Sequence, residues 1–367
     1  MELNTATSIL KKYWGYDSFR PLQGAIVQSV LDKKDTVVLL PTGGGKSLCF
    51  QVPALILDGL CIVISPLIAL MKDQVENLQK RGIKAAYINS EHSSTKQIEI
   101  LDNCEFGGVK LLYIAPERIQ SEAFQLRIRQ LNISLIAIDE AHCISQWGYD
   151  FRPSYLKINT IREICPTVPI IALTASATNE VLKDIQVRLA LNTPAVFKGS
   201  FARPNLVYVN RETETKKEAI LEIIKRVPGS GIVYVRNRKE TQNLAFWLRE
   251  QGISADHYHA GLGMSDRKNK QDFWTNNKTR IIVSTNAFGM GIDKPDVRTV
   301  IHFAPPDSIE AYYQEAGRGG RDGQKAYAVL LFEKHDIAQL EKKKQSDIPN
   351  INDVKQIYDT ILSSHQI

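Results

Sequence analysis

Thr36-Val-Val-Leu-Leu-Pro-Thr-Gly-Gly-Gly-Lys-Ser47, continued by Leu48-Cys-Phe-Gln51, decides how the rest of the chain is read. The apolar run Val37 to Leu40 is too short for a helix and stops at three glycines, so it reads as a buried strand feeding a loop, with a helix opening at Lys46 and Ser47. Gly43, Gly44 and Gly45 have no Cβ, which lets the backbone turn through positive φ and bring its N–H groups close to an anion. The helix N-terminus behind them adds unpaired donors and a partial positive charge. Lys46 has the reach for β- and γ-phosphates, and the Ser47 hydroxyl suits Mg²⁺, so Thr42 to Ser47 read as a cradle for a nucleoside triphosphate. The general form of this loop has glycine where Leu40 stands. A glycine-rich turn that binds nothing is the plain alternative, and it leaves the Lys46-Ser47 pair unexplained.

At 367 residues the chain suits two domains of common size, each able to bury its own core. With 23% charged and 43% hydrophobic residues the composition is that of a soluble globular protein, and the net charge of +6 is compatible with a polyanionic partner. The five cysteines form no C-x-x-C pair, which argues for a reducing compartment and against a disulfide framework or zinc knuckle. Met1-Glu-Leu-Asn-Thr5 is no export signal, and the apolar run Val52 to Met71 is cut by Pro53, Gly59 and Pro66, so no membrane span is expected. The expected location is the cytoplasm, beside the nucleoid, or the nucleus in a eukaryote.

Short apolar runs recur with helical stretches between them: Val37 to Leu40, Leu60 to Ile64, Ala85 to Ile88, Leu111 to Ile114, Leu135 to Ile138 and Ile170 to Leu173. This alternation means βαβ units and a parallel sheet covered on both faces. After a short linker, Gly199 to Pro204, the pattern restarts at Gly231 to Val235 and continues through Ala255 to Tyr258, Arg280 to Ser284, Thr299 to Phe303 and Tyr327 to Phe332. No second Gly-Lys-Ser occurs there, so one nucleotide site is expected. A charged helical pattern follows Phe332, then a break near Pro349 and apolar residues at helical spacing from Val354 to Leu362. The sequence stops at Ile367 without a capping glycine, as a frayed helix or the start of a further region would.

Leu135-Ile-Ala-Ile-Asp139-Glu140-Ala-His142 sets two carboxylates at the end of a buried strand, where ligands of parallel sheets collect. Alone, the pair also fits an N-cap and first-turn acid of the next helix. With a triphosphate loop on an earlier strand, Asp139 suits Mg²⁺ opposite Ser47, and Glu140 suits orienting or activating the attacking water.

Gly43 to Ser47, Asp139-Glu-Ala-His142, Thr174-Ala-Ser-Ala-Thr178 and Gln314-Glu-Ala-Gly-Arg-Gly-Gly-Arg321, in that order, resemble the motifs of superfamily 2 helicases. Asp139-Glu-Ala-His-Cys-Ile-Ser-Gln-Trp-Gly-Tyr-Asp-Phe-Arg-Pro153 and Trp14-Gly-Tyr-Asp-Ser-Phe-Arg-Pro-Leu-Gln23 more narrowly resemble signatures of the RecQ family of DNA helicases. The resemblance implies an α/β fold of two tandem RecA-like domains, each a mostly parallel sheet flanked by helices. These are assigned to 1–202 and 203–340, with a helical tail over 341–367. It also implies ATP and Mg²⁺ as ligands and 3'-to-5' movement on single-stranded DNA, in DNA repair or recombination.

The resemblance further implies roles for single residues. Tyr16, Arg20 and Gln23 are expected at adenine, where Tyr16 and Arg20 can stack and the Gln23 amide can meet the base edge. Trp147, Phe151 and Arg152 are expected on DNA, with Ser65 and Gln74 along its backbone; aromatics beside arginine suit base stacking. Tyr149 stands where the family usually has histidine, and tyrosine does not titrate near neutral pH. Gln314, Arg318 and Arg321 are expected at the γ-phosphate, Arg321 as the arginine finger. Gly289 to Asp293 matches a motif that contacts both DNA and nucleotide, and Tyr234 to Asn237 and His259 to Gly261 match backbone-tracking segments.

RecQ proteins commonly carry a four-cysteine zinc module after the second domain, and with no cysteine beyond Cys165 no such zinc site is expected here. The expected partner is single-stranded and partly duplex DNA, bound by a monomer. Two rival readings are an RNA helicase on the same motor and a nucleotide-gated binding module without turnover.

Overall fold

The computed structural model describes residues 3–89, 91–146, 150–288 and 294–346, with Lys355. Packing divides the chain into two compact units. One is built on the residues up to Pro204 and takes in the distant segment Tyr313–Arg321; the other is built on Asn205–Phe288, Asp296–Tyr312 and the chain from Asp322 onward. The expected elements Val354 to Leu362 and Gly289 to Asp293 lie outside the described residues, apart from Lys355, as do Trp147 and Tyr149.

In the first unit seven strands, β1 (Thr36–Leu39), β2 (Leu60–Ile64), β3 (Ala85–Ile88), β4 (Leu111–Ile114), β5 (Ile133–Ile138), β6 (Ile170–Thr174) and β7 (Ala195–Lys198), form one sheet in the order β3-β4-β2-β5-β6-β1-β7. Every pairing is parallel. The inner strands are apolar at successive positions because helices cover both faces, and alternation sends neighbours to different cores. Val37 and Leu39 join Ile62, Ile64, Ile136 and Ile138 on one face. Val38 and Leu40 join Val63, Ala137, Leu173 and Phe50 on the other. Leu40, the residue that departs from the general loop pattern, is therefore a core residue, and Gly199 makes room for it: a Cβ there would stand 2.6 Å from Leu40 Cδ2.

Parallel pairing brings the C-terminal ends of β1, β2, β5 and β6 to one edge of the sheet, so Leu40 to Ser47, Ser65, Asp139-Glu140 and Thr174 meet there. Two strands have no counterpart in the sequence reading. β7 and β8 (Leu206–Glu212) flank the expected linker, and both are edge strands with residues open to solvent. An edge strand needs no continuous apolar run.

The second unit carries β8, β9 (Ser230–Tyr234), β10 (Ala255–Tyr258), β11 (Ile281–Ser284), β12 (Val297–His302) and β13 (Ala326–Phe332), again all parallel, in the order β10-β11-β9-β12-β13-β8. Its core includes Ile220, Ile224, Val233, Leu244, Val283, Ile301 and Leu331. The charged pattern after Phe332 is the helix Lys334–Ser346, held to the helix Lys216–Arg226 by a buried pair between Lys216 and Asp336. No helix among the described residues is long and apolar enough to cross a membrane.

One buried carboxylate fastens the bottom of the first sheet. Asp35, just before β1, accepts hydrogen bonds from Ile170 N–H (2.8 Å) and Asn192 N–H (2.7 Å) and pairs with the Arg162 guanidinium at 2.7 Å. Removing it leaves a largely buried cation and two amides without their acceptor, so Asp35→Ala is expected to lose about 3–5 kcal/mol of stability. Asp35→Asn, which keeps an acceptor, is expected to lose less. Urea unfolding of the three proteins checks this; an Asp35→Ala chain as stable as the parent would refute it.

Candidate active site

The glycine loop has the shape its sequence demands. Gly43 and Gly45 sit at φ +78° and +76°, and a Cβ on Gly44 would lie 2.8 Å from Pro41 O. Gly44 N–H donates to Pro41 O at 2.9 Å, closing a turn, and the helix Leu48–Ile56 follows with Ser47 already in helical conformation. The helix thus starts within two residues of the expected point. Lys46 Nζ folds back to Leu40 O at 3.4 Å.

Arg20 and Gln23 pack on the outside of this loop. Arg20 Nη1 donates to Gly43 O at 2.7 Å, and Gln23 Nε2 donates to Gly45 O at 3.1 Å and Gly44 O at 3.3 Å, while Gln23 Oε1 accepts from Arg20 N–H at 2.9 Å. Gln23 is 1% exposed and Tyr16 is 52% exposed. The Gln23 amide, expected to face a base, here braces the loop's own carbonyls.

Asp139 and Glu140 leave the end of β5 at the same edge. Asp139 N–H donates to Ile64 O at 2.9 Å, its Oδ1 accepts Glu140 N–H at 3.0 Å, and its carbonyl accepts the Tyr155 hydroxyl at 2.9 Å. Glu140 stands at φ +48°, ψ +46°, a left-handed conformation that costs a residue with a side chain about 1–2 kcal/mol. Burial raises Asp139 to about 7, helped by Glu140 and opposed by Lys46. Burial also raises Glu140, against the charges of Lys46 and Arg318.

His142 is fully buried and lowered by that burial to about 4, so it is neutral. Its Nδ1 lies 2.9 Å from Thr174 Oγ1, whose own proton goes to Ser176 O at 3.1 Å, which makes Nδ1 the protonated nitrogen. Glu140 Oε2 is 3.3 Å from the same Nδ1, yet the imidazole carries no charge, so the contact is not an ion pair. That oxygen is buried and has no hydrogen-bond partner among the described residues.

In the segment Thr174 to Thr178, Thr174 Oγ1 meets His142, and Thr178 Oγ1 caps the helix Asn179–Arg188 by accepting Val181 N–H. Of the two residues expected along the DNA backbone, Ser65 is 1% exposed. Gln74 is half-buried against the nucleotide loop, its Nε2 3.4 Å from Ser47 Oγ and its Oε1 accepting from Tyr113 OH (2.9 Å) and Gln51 Nε2 (3.2 Å). Phe151 and Arg152 are half-buried, and Arg152 spans from Asp150 to Pro66 O.

The segment Tyr313–Arg321 packs in this unit. Gln314 is half-buried, Arg318 is 4% exposed, and Arg321 Cγ lies 3.1 Å from where a Cβ on Gly43 would be. Arg203, which the sequence reading left in the linker, grips this turn. Its guanidinium donates to Gly317 O (3.2 Å), Gly319 O (2.8 Å), Gly320 O (3.0 Å) and Thr42 O (3.3 Å). A lone arginine before Pro204, in a linker otherwise short of charge, was the available signal.

The comparisons agree with these motifs. A family described as DEAD/DEAH box helicase matches residues 20–185, and one described as helicase conserved C-terminal domain matches 215–323. The chain is 45% identical to the ATP-dependent DNA helicase RecQ of Pasteurella multocida over 92% of its length and 54% of that protein's. It is 41% identical to the probable ATP-dependent DNA helicase RecS of Bacillus subtilis over 93% of its length and 71% of that protein's. The chain belongs to the RecQ family of helicases. It spans about half the length of the Pasteurella RecQ. In fold it is similar to the helicase MrfA in a DNA-bound crystal structure (TM-score 0.75, 18% identity, 93% of this chain and 53% of that one). It is likewise similar to Saccharomyces cerevisiae Dbp5 (TM-score 0.70, 17% identity, 98% of each chain). Both are tandem RecA-like folds.

The raised acid pair of this RecQ-family chain has a consequence for stability. A carboxyl that ionises at 3.8 when unfolded and near 7 when folded binds more protons in the folded state between those values, so stability falls as pH rises through that window. Without Mg²⁺ or nucleotide, Asp139→Asn is expected to flatten this fall. Melting temperatures across the window check it; parallel curves for parent and variant would refute it.

Proposed function

We propose that the chain is the motor of an ATP-dependent DNA helicase that moves 3'-to-5' on single-stranded DNA and opens duplexes, working where the cell keeps its DNA, in repair or recombination. The observation that carries this reading is the buried, unpartnered Oε2 of Glu140, held in a strained backbone beside Lys46 and Arg318 at the mouth of the glycine loop. A binding module has no use for such an oxygen; an attacking water does.

The chemistry follows from the residues. Amides of Gly43 to Lys46 and the Lys46 ammonium bind the phosphates, and Tyr16 and Arg20 take the base. Ser47 and Asp139 would hold Mg²⁺, which supplies charge neutralisation at the β- and γ-phosphates when bound. The two oxygen donors fit a hard cation, and burial beside Glu140 raises Asp139's proton affinity in a place where a bound cation would offset it. Glu140 Oε2 takes a proton from the attacking water, and His142 beside it, being neutral, adds no charge there. Gln314, Arg318 and Arg321 face the charge that builds on the γ-phosphate, where an arginine finger is worth about 10³–10⁵ in rate. Arg203 holds the turn that presents them. Phe151 and Arg152, with Trp147, would report bound DNA to the acid pair a few residues away.

RNA is the second reading. It is favoured by one relative, the putative ATP-dependent RNA helicase R290 of Acanthamoeba polyphaga mimivirus, 45% identical over 93% of this chain and 63% of that protein.

Steady-state ATPase with no nucleic acid, single-stranded DNA, duplex DNA and single-stranded RNA separates the readings. Mg²⁺-dependent turnover that rises sharply with single-stranded DNA is expected, and substrates with a 3' tail are expected to unwind in preference to those with a 5' tail. Equal rates with and without DNA would sink the coupling, and equal stimulation by RNA would favour the second reading.

Glu140→Gln is expected to keep ATP binding while turnover falls about 10²–10⁴-fold, the range for a lost general base. Lys46→Ala is expected to weaken binding itself. Nucleotide affinity measured beside turnover distinguishes them, and a Glu140→Gln enzyme at the parent rate would remove Glu140 from the mechanism.

A further inference from the structure

Just beyond the acid pair, three side chains that the ATP chemistry does not use as ligands converge. His142 Nε2 lies 3.8 Å from Cys143 Sγ, Cys143 Sγ lies 3.9 Å from Asp150 Oδ2, and ligand atoms of the three all fall within 4.8 Å of one another. A tetrahedral ion with bonds of about 2.0–2.3 Å sets nitrogen, oxygen and sulfur ligands about 3.5 Å apart. Two edges of that figure are therefore nearly in place, and the third, between His142 and Asp150, is within 4.8 Å.

The histidine is set up for such a role. Its Nδ1–H is used on Thr174 Oγ1, so Nε2, the nitrogen facing the thiol, carries the lone pair. A hydroxyl or carbonyl on the far nitrogen is the outer contact that metal-bound histidines commonly have. His142 and Cys143 are fully buried, whereas the Asp150 side chain is 31% exposed, which gives an ion a way in. Asp150 is at present neutralised by Arg152, with Nη2 at 3.0 Å and Nε at 3.3 Å from Oδ2. A divalent ion bound by one thiolate and one carboxylate is also neutral, the thiol proton passing to solvent. Ion and guanidinium compete for the same oxygen.

We propose that His142, Cys143 and Asp150 form a site for a divalent transition-metal ion such as Zn²⁺, which has no redox chemistry, and that its binding displaces Arg152 from Asp150 and suppresses DNA-stimulated ATP hydrolysis. Sulfur and nitrogen ligands select it against the Mg²⁺ that oxygen ligands take. The regulatory half rests on the proposed helicase function; the site itself does not.

Titrating the full chain with Co²⁺, without nucleotide or DNA and with a non-thiol reductant, tests the site independently of the motor. One equivalent is expected to give a sulfur-to-cobalt charge-transfer band with tetrahedral d–d intensity, displaced by Zn²⁺. The band is expected to vanish in Cys143→Ser, to need about tenfold or more Co²⁺ in Asp150→Asn, and to persist in Cys165→Ser. Because Cys143 is buried, Asp150→Asn decides the matter if Cys143→Ser does not fold. No band in the parent, or a band unchanged in Asp150→Asn, would overturn the site. With Zn²⁺ added, DNA-stimulated ATPase is expected to fall in the parent and resist in Asp150→Asn; equal inhibition of both would overturn the regulation.

Discussion

The first unit depends on holding charge in a place where protein interiors resist it. Asp139 and Glu140 are almost wholly buried at the edge of a parallel sheet, within reach of the charges of Lys46 and, for Glu140, Arg318. Burying a lone carboxylate costs several kcal/mol, and mutual attraction offsets that only in good geometry. The surrounding features follow from this need. The glycine loop carries Lys46 and the end of β5 carries the acids to the same edge of the sheet. The raised proton affinity of both acids shows the compensation to be incomplete.

His142 is where the acid pair connects to the rest of the unit. Its Nδ1 lies between Glu140 Oε2 and Thr174 Oγ1, joining the ends of β5 and β6, and its Nε2 faces Cys143 and the run toward Asp150 and Arg152. A neutral ring can do this because it adds no charge to a crowded site. Arg152, which reaches Pro66 beyond β2, is linked by successive close contacts through Asp150, Cys143 and His142 to Glu140 Oε2.

Most of the architecture was legible because parallel strands covered on both faces leave continuous apolar runs. Leu60–Ile64, Ala85–Ile88 and Leu111–Ile114 fall where those runs lie, and others shift by one or two residues at their ends. β7 and β8 were illegible for the complementary reason. Val196 and Val209 are open to solvent, so their strands owe their existence to a ladder on one side and not to burial. The motif order pointed to residues that the strand ends bring to one edge of the sheet. It did not show who holds the parts, because Gln74 to Ser47, Tyr155 to Asp139 and Arg203 to Gly320 are contacts between residues far apart in the chain.

Leu40 shows how a departure from a motif is resolved by packing. At this position glycine would open the loop's entry, and leucine would crowd it unless something gave way. The side chain turns instead into the core with Val38, Leu173 and Phe50, and Gly199, which has no Cβ to clash, closes over it. Burying a leucine is worth about 1.5–3 kcal/mol, so the substitution anchors the first turn of the loop to the sheet. The glycines that phosphate binding needs, Gly43 to Gly45, come after that anchor, and Gly43 and Gly45 keep the positive φ that the cradle requires. The motif's chemistry resides in its last five residues, and its first is free to serve the fold.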